Sequence, residues 1–444
     1  MTAKFFPVLI LIWVFPSARI FGAEIYVAPR GDDANSGASD SPFASVQRAQ
    51  KAAAPGDTVW IRGGTYLISE ALIAETRRGQ AHVTLLDKSG TAERPIRYWA
   101  YRDEQPVFDF SAVKPQGLRV TAFYVKGSWI HLRGLGVIGV QVTITGHTQS
   151  ICFDNEGNNN VFEQLSMHDG QAIGFWLGHG SDNLVLNCDA YKNHDYTSED
   201  HRGGNVDGFG FHVPRGSVNN VFRGCRAWLN SDDGFDCINT AEAVLFDNCW
   251  AFYNGFDEKF TSLGDGNGFK AGGYARTPSA NLPNPIPRQV VRNCVAVRNK
   301  ASGFYANHQP GGIDWLNNTA YRNKINFNML GRNIADVNDV PGYGHMMRNN
   351  LGYKGRTELS NLNEADSDVV GNYFNLPVKI GDRDFAGLDE SDLTKPRQPN
   401  GDLPDVPFLH LAKGSGLIDL GRDVGLPFTG TAPDLGAFEF GKTK

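Results

Sequence analysis

The sequence predicts an all-β parallel solenoid. Three observations carry that reading: a short motif that recurs at fixed spacing, a Gly-Phe pair that recurs in step with it, and an excess of glycine, 51 of 444 residues, at the places where the chain must turn. The apolar share of 41% allows a large core, and the charged share of 20% excludes global disorder. A chain this long is either several domains or one elongated repeat fold.

The repeat reads NCDAYKN (187–193), GCRAWLN (224–230), NCWAFYN (248–254), NCVAVRN (293–299) and NNTAYRN (317–323). The closing asparagines, Asn193, Asn230, Asn254, Asn299 and Asn323, lie 37, 24, 45 and 24 residues apart. The unit is therefore about 24 residues, with insertions in the long intervals. Gly-Phe recurs at Gly174–Phe175, Gly208–Phe209, Gly234–Phe235, Gly268–Phe269 and Gly303–Phe304. Insertions at 194–205 and 255–266 fall at one corner, just before this pair, and a third, 278–289, falls after it. Leucine-rich repeats need a Leu/Asn consensus that is missing, and WD40 and kelch periods are roughly twice as long.

If each coil stacks on the next at about 4.8 Å, equivalent positions form ladders. The asparagines predict a buried amide ladder and the phenylalanines a core stack. Cys188, Cys225, Cys249 and Cys294 share one column, read as reduced core thiols, although stacking distance also permits a disulfide. No CxxC pair occurs among the six cysteines, so zinc ribbons and thioredoxin-like chemistry lack support. The helical stretch Ser45 to Ala54 is placed to cap the first coil, and the polar, turn-rich region 380–414 to cross the outside of the coils.

The N-terminus has the three parts of an export signal: Lys4, the apolar run Phe5 to Phe15, and small residues up to Ala23. The expectation is a signal peptide at 1–23, a single domain at 24–444, and a secreted or periplasmic protein. No apolar run is long enough to span a bilayer. The net charge of −6 argues against a nucleic-acid partner, and the expected state is a monomer. An anionic ligand would have to be held by a local cation.

The Gly-Phe column aligns polar residues beside it. Before Gly stand Asp207, Asp233, Asn267 and Ser302; after Phe stand Gly210, Asp236, Lys270 and Tyr305. Asp207 and Asp233 then lie on successive rungs, and Asp232 and Asp236 share the segment NSDDGFD (230–236). Four carboxylates in one small volume favour a cation among them, and all-oxygen ligation suits Ca²⁺. The alternative for NSDDGFD is a polar turn held by Asx bonds. Lys270 follows one rung beyond Asp236; by position alone it is as readily a solvated strand lysine or an ion-pair partner for Asp236 as a functional residue.

Four segments make the pattern specific: NVDGFGFH (205–212), GCRAWLNSDDGFDCIN (224–239), NCWAFYNGF (248–256) and GDGNGFKAGG (264–273). Together they resemble the family-nine polysaccharide lyases, pectate lyases with a right-handed parallel β-helix. Weaker similarity covers most of the chain, including the entry at 25–66 and the tail at 415–440. The resemblance implies Ca²⁺ ligands at Asp207, Asp232, Asp233 and Asp236, a general base at Lys270, and β-elimination of an acidic galacturonan such as pectate. The corner insertions make Arg202, Lys259, Tyr274 and Arg276 candidate substrate contacts. The competing readings are a lyase for rhamnogalacturonan or alginate, a glycosidase using paired aspartates, which leaves Lys270 without a role, and a non-catalytic carbohydrate-binding β-helix. No GxSxG elbow, P-loop or HExxH pair offers another chemistry.

Overall fold

In the computed structural model, which describes residues 22–441, the chain winds through three parallel sheets once per coil. The signal peptide expected at 1–23 lies almost wholly outside the described residues. Sheet I has 12 strands, sheet II has 10 and sheet III has 11, and the neighbours come from successive coils except at one edge of sheet III, where Glu75–Arg77 pairs antiparallel with Gln80–Leu86. One full coil reads Asn220–Arg223 in sheet I, Arg226–Trp228 in sheet II and Phe235–Asp236 in sheet III.

The sequence period explains each corner. Between sheets I and II the chain turns on a left-handed residue, Asn187 (φ 55°), Gly224 (φ 64°), Asn248 (φ 53°), Asn293 (φ 53°) and Asn317 (φ 52°) in successive coils. Asparagine and glycine tolerate that conformation best. The cysteine that follows points inward; Cys188, Cys225, Cys249 and Cys294 are all buried free thiols. Between sheets II and III a second left-handed residue precedes the ladder asparagine: Lys192, Leu229, Tyr253, Arg298 and Arg322.

These less favourable left-handed residues are held by the amide ladder. Asn193 Nδ2 donates to Asn230 Oδ1 at 3.1 Å, Asn230 to Asn254 at 3.1 Å, Asn254 to Asn299 at 3.0 Å and Asn299 to Asn323 at 3.0 Å. Each Nδ2 also donates to a backbone carbonyl, as Asn254 does to Ala227 at 3.0 Å. Every polar atom of the amide is thereby satisfied in a dry corner.

Inside, Phe209, Phe235, Phe269, Phe304 and Phe327 stack with centroids 4.7 to 5.2 Å apart. Phe175 keeps the register with Phe209 but packs edge-on to Phe222 instead.

The cap at the entry is a helix, Val46–Ala52, whose N-cap Ser45 Oγ accepts from Arg48 N at 3.0 Å. Val46 and Ala49 join the core that Val27 and Val59 begin. The C-terminal segment does cross the outside of the coils, and its reach exceeds the expected 380–414. Phe385, Leu393, Phe408, Leu411, Leu417, Leu435 and Phe438 form a second apolar cluster with outward residues of sheet II such as Trp250, Phe252 and Tyr321. Asp189 anchors it, taking Arg226 at 2.8 Å and Arg397 at 2.6 Å. Among the described residues no helix is long and apolar enough to cross a membrane.

Candidate active site

Sheet III supplies the site. Its strands bury one face in the core, so the alternate residues stand on the outer face. The register there runs Gly210↔Asp236, Asp236↔Lys270 and Lys270↔Tyr305, as the column of the sequence requires. Asp207, Asp232 and Asp233 stand at the bend just before these strands. All three are buried, and one oxygen from each lies within 4.8 Å of the others.

The backbone occupies one oxygen of each carboxylate. Asp207 Oδ1 accepts from Asp233 N at 3.2 Å, Asp232 Oδ1 from Asp265 N at 2.7 Å, and Asp233 Oδ1 from Asn267 N at 2.6 Å and Nδ2 at 2.9 Å. Asp233 Oδ2, fully buried, makes no hydrogen bond; its partner is the ammonium of Lys270 in an ion pair at 3.1 Å. Three buried carboxylate oxygens within 4.8 Å of one another are hard donors of the kind that fit a calcium ion. Asp236 is not part of that close group. Its Oδ1 accepts from Ile238 N at 2.7 Å and its Oδ2 takes Lys270 Nζ at 3.2 Å.

The electrostatics have one cause. Four carboxylates and one ammonium leave excess negative charge where water is excluded. Burial, followed by the neighbouring aspartates, holds the carboxyls of Asp207 and Asp232 well above the ordinary range. Burial also raises Asp233, partly relieved by Lys270. For Lys270 burial works against the charge, but Asp236, Asp233, Asp232 and Asp207 together outweigh it and hold the amine well above the ordinary lysine range.

The corner insertions border this cluster. Gly264 N donates to Ser231 O at 2.7 Å, Ser231 Oγ donates to Gly203 O at 2.8 Å, and Lys300 Nζ clamps the second insertion through the carbonyls of Leu263, at 2.8 Å, and Gly264.

The four candidate contacts separate. Arg202 is exposed on the first insertion, and Arg276 is exposed beyond the Phe269–Lys270 strand. Lys259 lines a cleft on the sheet II side of the corner with Lys192, His194 and Asp169. Tyr274 is a correction: it is buried, and its hydroxyl donates to Thr240 O at 2.7 Å, so it braces the loop rather than facing a substrate. Asn267 and Lys300 are supporting residues that sequence reasoning did not assign. Asn267 stands in the aligned column beside Asp233, which is the signal that identifies it; nothing periodic marks Lys300.

The chain matches the family model described as the Pel9A-like, right-handed beta helix region over residues 25–350. Pectate lyase L of Dickeya chrysanthemi is 34% identical over 421 residues, covering 93% of this chain and 90% of that protein. A solved rhamnogalacturonan lyase is 46% identical with a TM-score of 0.85, over 88% of this chain and 97% of the other. Solved pectate lyase Pel9A is 32% identical with a TM-score of 0.76, over 94% and 96%.

Proposed function

The chain belongs to the Pel9A-like right-handed β-helix family of polysaccharide lyases, and we propose that it is a secreted, calcium-dependent enzyme that cleaves a galacturonate-containing pectic backbone by β-elimination. The observation that carries the reading is the register of sheet III, which sets Lys270 one rung from Asp236 and 3.1 Å from Asp233 of the acidic cluster.

Asp207, Asp232 and Asp233 would hold the ion, with Asp236 beside them. When bound there, Ca²⁺ supplies positive charge that acidifies the C5 proton of a uronate and offsets the carboxylate field keeping Lys270 protonated. Lys270 Nζ, as the free amine, takes the C5 proton. The C–H electron pair becomes the C4–C5 double bond, and the C4–O pair leaves with the glycosidic oxygen, which is then protonated. Asn267 and the backbone at Asp265 fix the carboxylates through the hydrogen bonds described above. A pair of aspartates working as hydrolytic acid and base would leave Lys270 as a counter-ion only.

The sequence alone points to pectate as the polymer. The higher identity and TM-score of the rhamnogalacturonan lyase favour the rhamnogalacturonan backbone as the substrate, with polygalacturonate the second reading. The test is a panel of rhamnogalacturonan, polygalacturonate and alginate, with calcium and with chelator. Unsaturated uronate products, seen by ultraviolet absorbance, should form from rhamnogalacturonan and vanish with chelator. New reducing ends without that absorbance would replace elimination by hydrolysis.

A further inference from the structure

Elimination needs a proton for the departing glycosidic oxygen as well as a base for the C5 hydrogen. The rung after Lys270 carries a group suited to supply it. Tyr305 pairs with Lys270 in the register of sheet III and alternates with the core residues Phe304 and Ala306, so its phenol stands on the same outer face, partly exposed.

A chain of hydrogen bonds holds that phenol. The Tyr305 hydroxyl lies 3.1 Å from His308 Nε2, and His308 Nδ1 lies 2.6 Å from Asp339 Oδ1. A carboxylate only accepts, so Nδ1 carries the proton, and in the neutral ring Nε2 accepts from the hydroxyl. The turn that brings His308 there is built against backbone preference: Asn307 (φ 53°) and His308 (φ 60°) are both left-handed. It is tied to the coils on either side. Asn307 Nδ2 donates to Gly272 O at 2.8 Å, just after Lys270, and His308 N donates to Leu330 O at 2.8 Å.

The tips of Lys270 and Tyr305 are drawn apart. Lys270 Nζ leans to Asp233 and Asp236 on the preceding coil. The Tyr305 hydroxyl is held by His308, which Asp339 fixes from the hairpin of the following coil, Leu330–Arg332 with Asp339–Pro341. In a 4-linked galacturonate the C5 hydrogen and the C4 oxygen lie on opposite faces of the ring, so base and acid must stand on opposite sides of the sugar. A ring seated between the two tips meets that demand. Burial pushes the Tyr305 phenol up to about 12; Lys270 lowers it, and Asp339, Asp233 and Asp265 raise it. The hydroxyl therefore keeps its proton through neutral and moderately alkaline pH.

We propose that Tyr305 is the catalytic acid, giving its hydroxyl proton to the glycosidic oxygen as the C4–O bond breaks, and that His308 and Asp339 are positioning residues that hold the phenol beside the leaving group. This rests on the lyase reading with Lys270 as base. The C5 proton goes to Lys270 Nζ, the C–H pair becomes the C4–C5 double bond, the C4–O pair stays on the glycosidic oxygen, and that oxygen takes the phenolic proton. The phenolate then regains a proton from water and the Lys270 ammonium loses one to water, so the protons balance. A phenolic O–H lies in the ring plane in either of two directions, so the hydrogen that rests on Nε2 can turn to a substrate oxygen.

The test uses the whole protein with calcium in deuterated water, on rhamnogalacturonan or polygalacturonate, whichever the wild type cleaves. Unsaturated product is read by ultraviolet absorbance, and deuterium at C5 of the uncleaved polymer by magnetic resonance. Tyr305→Phe keeps the ring and removes the proton. It should lower kcat about 100- to 10,000-fold, with KM and calcium affinity within about twofold of wild type. C5 of the uncleaved polymer should meanwhile gain deuterium, because Lys270 still takes the proton and returns one from solvent. Lys270→Ala should give neither product nor exchange. His308→Ala should lower kcat about tenfold with KM unchanged, and Asp339→Asn less. Tyr305→Phe combined with His308→Ala should be no slower than Tyr305→Phe alone. Turnover of Tyr305→Phe within about tenfold of wild type overturns the acid. A loss without C5 exchange, or one that appears in KM, overturns it too, since the residue then holds the substrate or the base. Additive losses overturn the positioning role of His308. A wild type that forms no unsaturated product from either polymer sinks the lyase reading itself; the other outcomes leave it standing.

Discussion

Replacing Lys270 by alanine should separate two roles that the geometry superimposes. The ammonium is a counter-ion, 3.1 Å from Asp233 Oδ2 and 3.2 Å from Asp236 Oδ2, with its side chain only 12% exposed. It is also the amine that reaches both Asp233 and Asp236. As counter-ion, its removal strands buried carboxylates, a change that costs 3–5 kcal/mol in general. Here the loss should sit near the low end, about 3 kcal/mol, because the raised aspartates can take up a proton instead. Calcium supplies the missing charge, so the deficit should appear in chelator and close when calcium is added. As base, its removal should lower turnover about 100- to 10,000-fold with calcium present. The assays are urea unfolding in chelator and in calcium, and ultraviolet detection of unsaturated product. Lys270→Arg is the control: guanidinium keeps the charge but does not deprotonate, so it should retain stability in chelator and still fail to turn over. Turnover in Lys270→Ala within tenfold of wild type would remove the base assignment. A stability loss that calcium does not repair would mean that Lys270 serves packing instead.

Three further outcomes follow from individual contacts. Burial, then Glu156, holds the Asp154 carboxyl up at about 8, against roughly 3.9 in the unfolded chain. The folded protein therefore keeps a proton that the unfolded chain releases, so this stability is full below about pH 4 and is lost as pH rises towards 8. Asp154→Asn should match wild type near pH 4 and exceed it by up to about 5 kcal/mol at pH 9; urea unfolding at a series of pH values checks this, and a pH-independent difference would contradict it. Asn254→Ala strands the ladder donors of Asn230 and the carbonyl of Ala227 in a dry corner, and should lower unfolding stability by about 3 kcal/mol or more. Tyr274→Phe removes one buried hydrogen bond to Thr240 and should cost about 1–2 kcal/mol while leaving KM unchanged, whereas a raised KM would restore Tyr274 as a substrate contact.

The sequence by itself determined the coil and its ladders. A solenoid translates one turn by a constant step, so equal spacing along the chain becomes equal position in space. The Asn193–Asn323 hydrogen bonds, the phenylalanine stack and the Asp236–Lys270 pairing are all consequences of that translation. Aligning two short motifs was enough to place them. What breaks the period needed the tertiary structure. Tyr274 sits just beyond the Phe269–Lys270 strand, outside the repeated motifs, and only the fold of that loop decides that its hydroxyl turns inward to Thr240. Lys300 reaches the carbonyls of 263 and 264 across an insertion whose path no repeat specifies. Asp236 stands in the right column, yet its carboxylate turns to Lys270 and Ile238 while Asp207, Asp232 and Asp233 close together. The periodic parts share a backbone geometry that hydrogen bonding between coils enforces. The rest depends on which side chain wins each local contest for charge, hydrogen bonds and space, and that contest is settled between residues far apart in sequence.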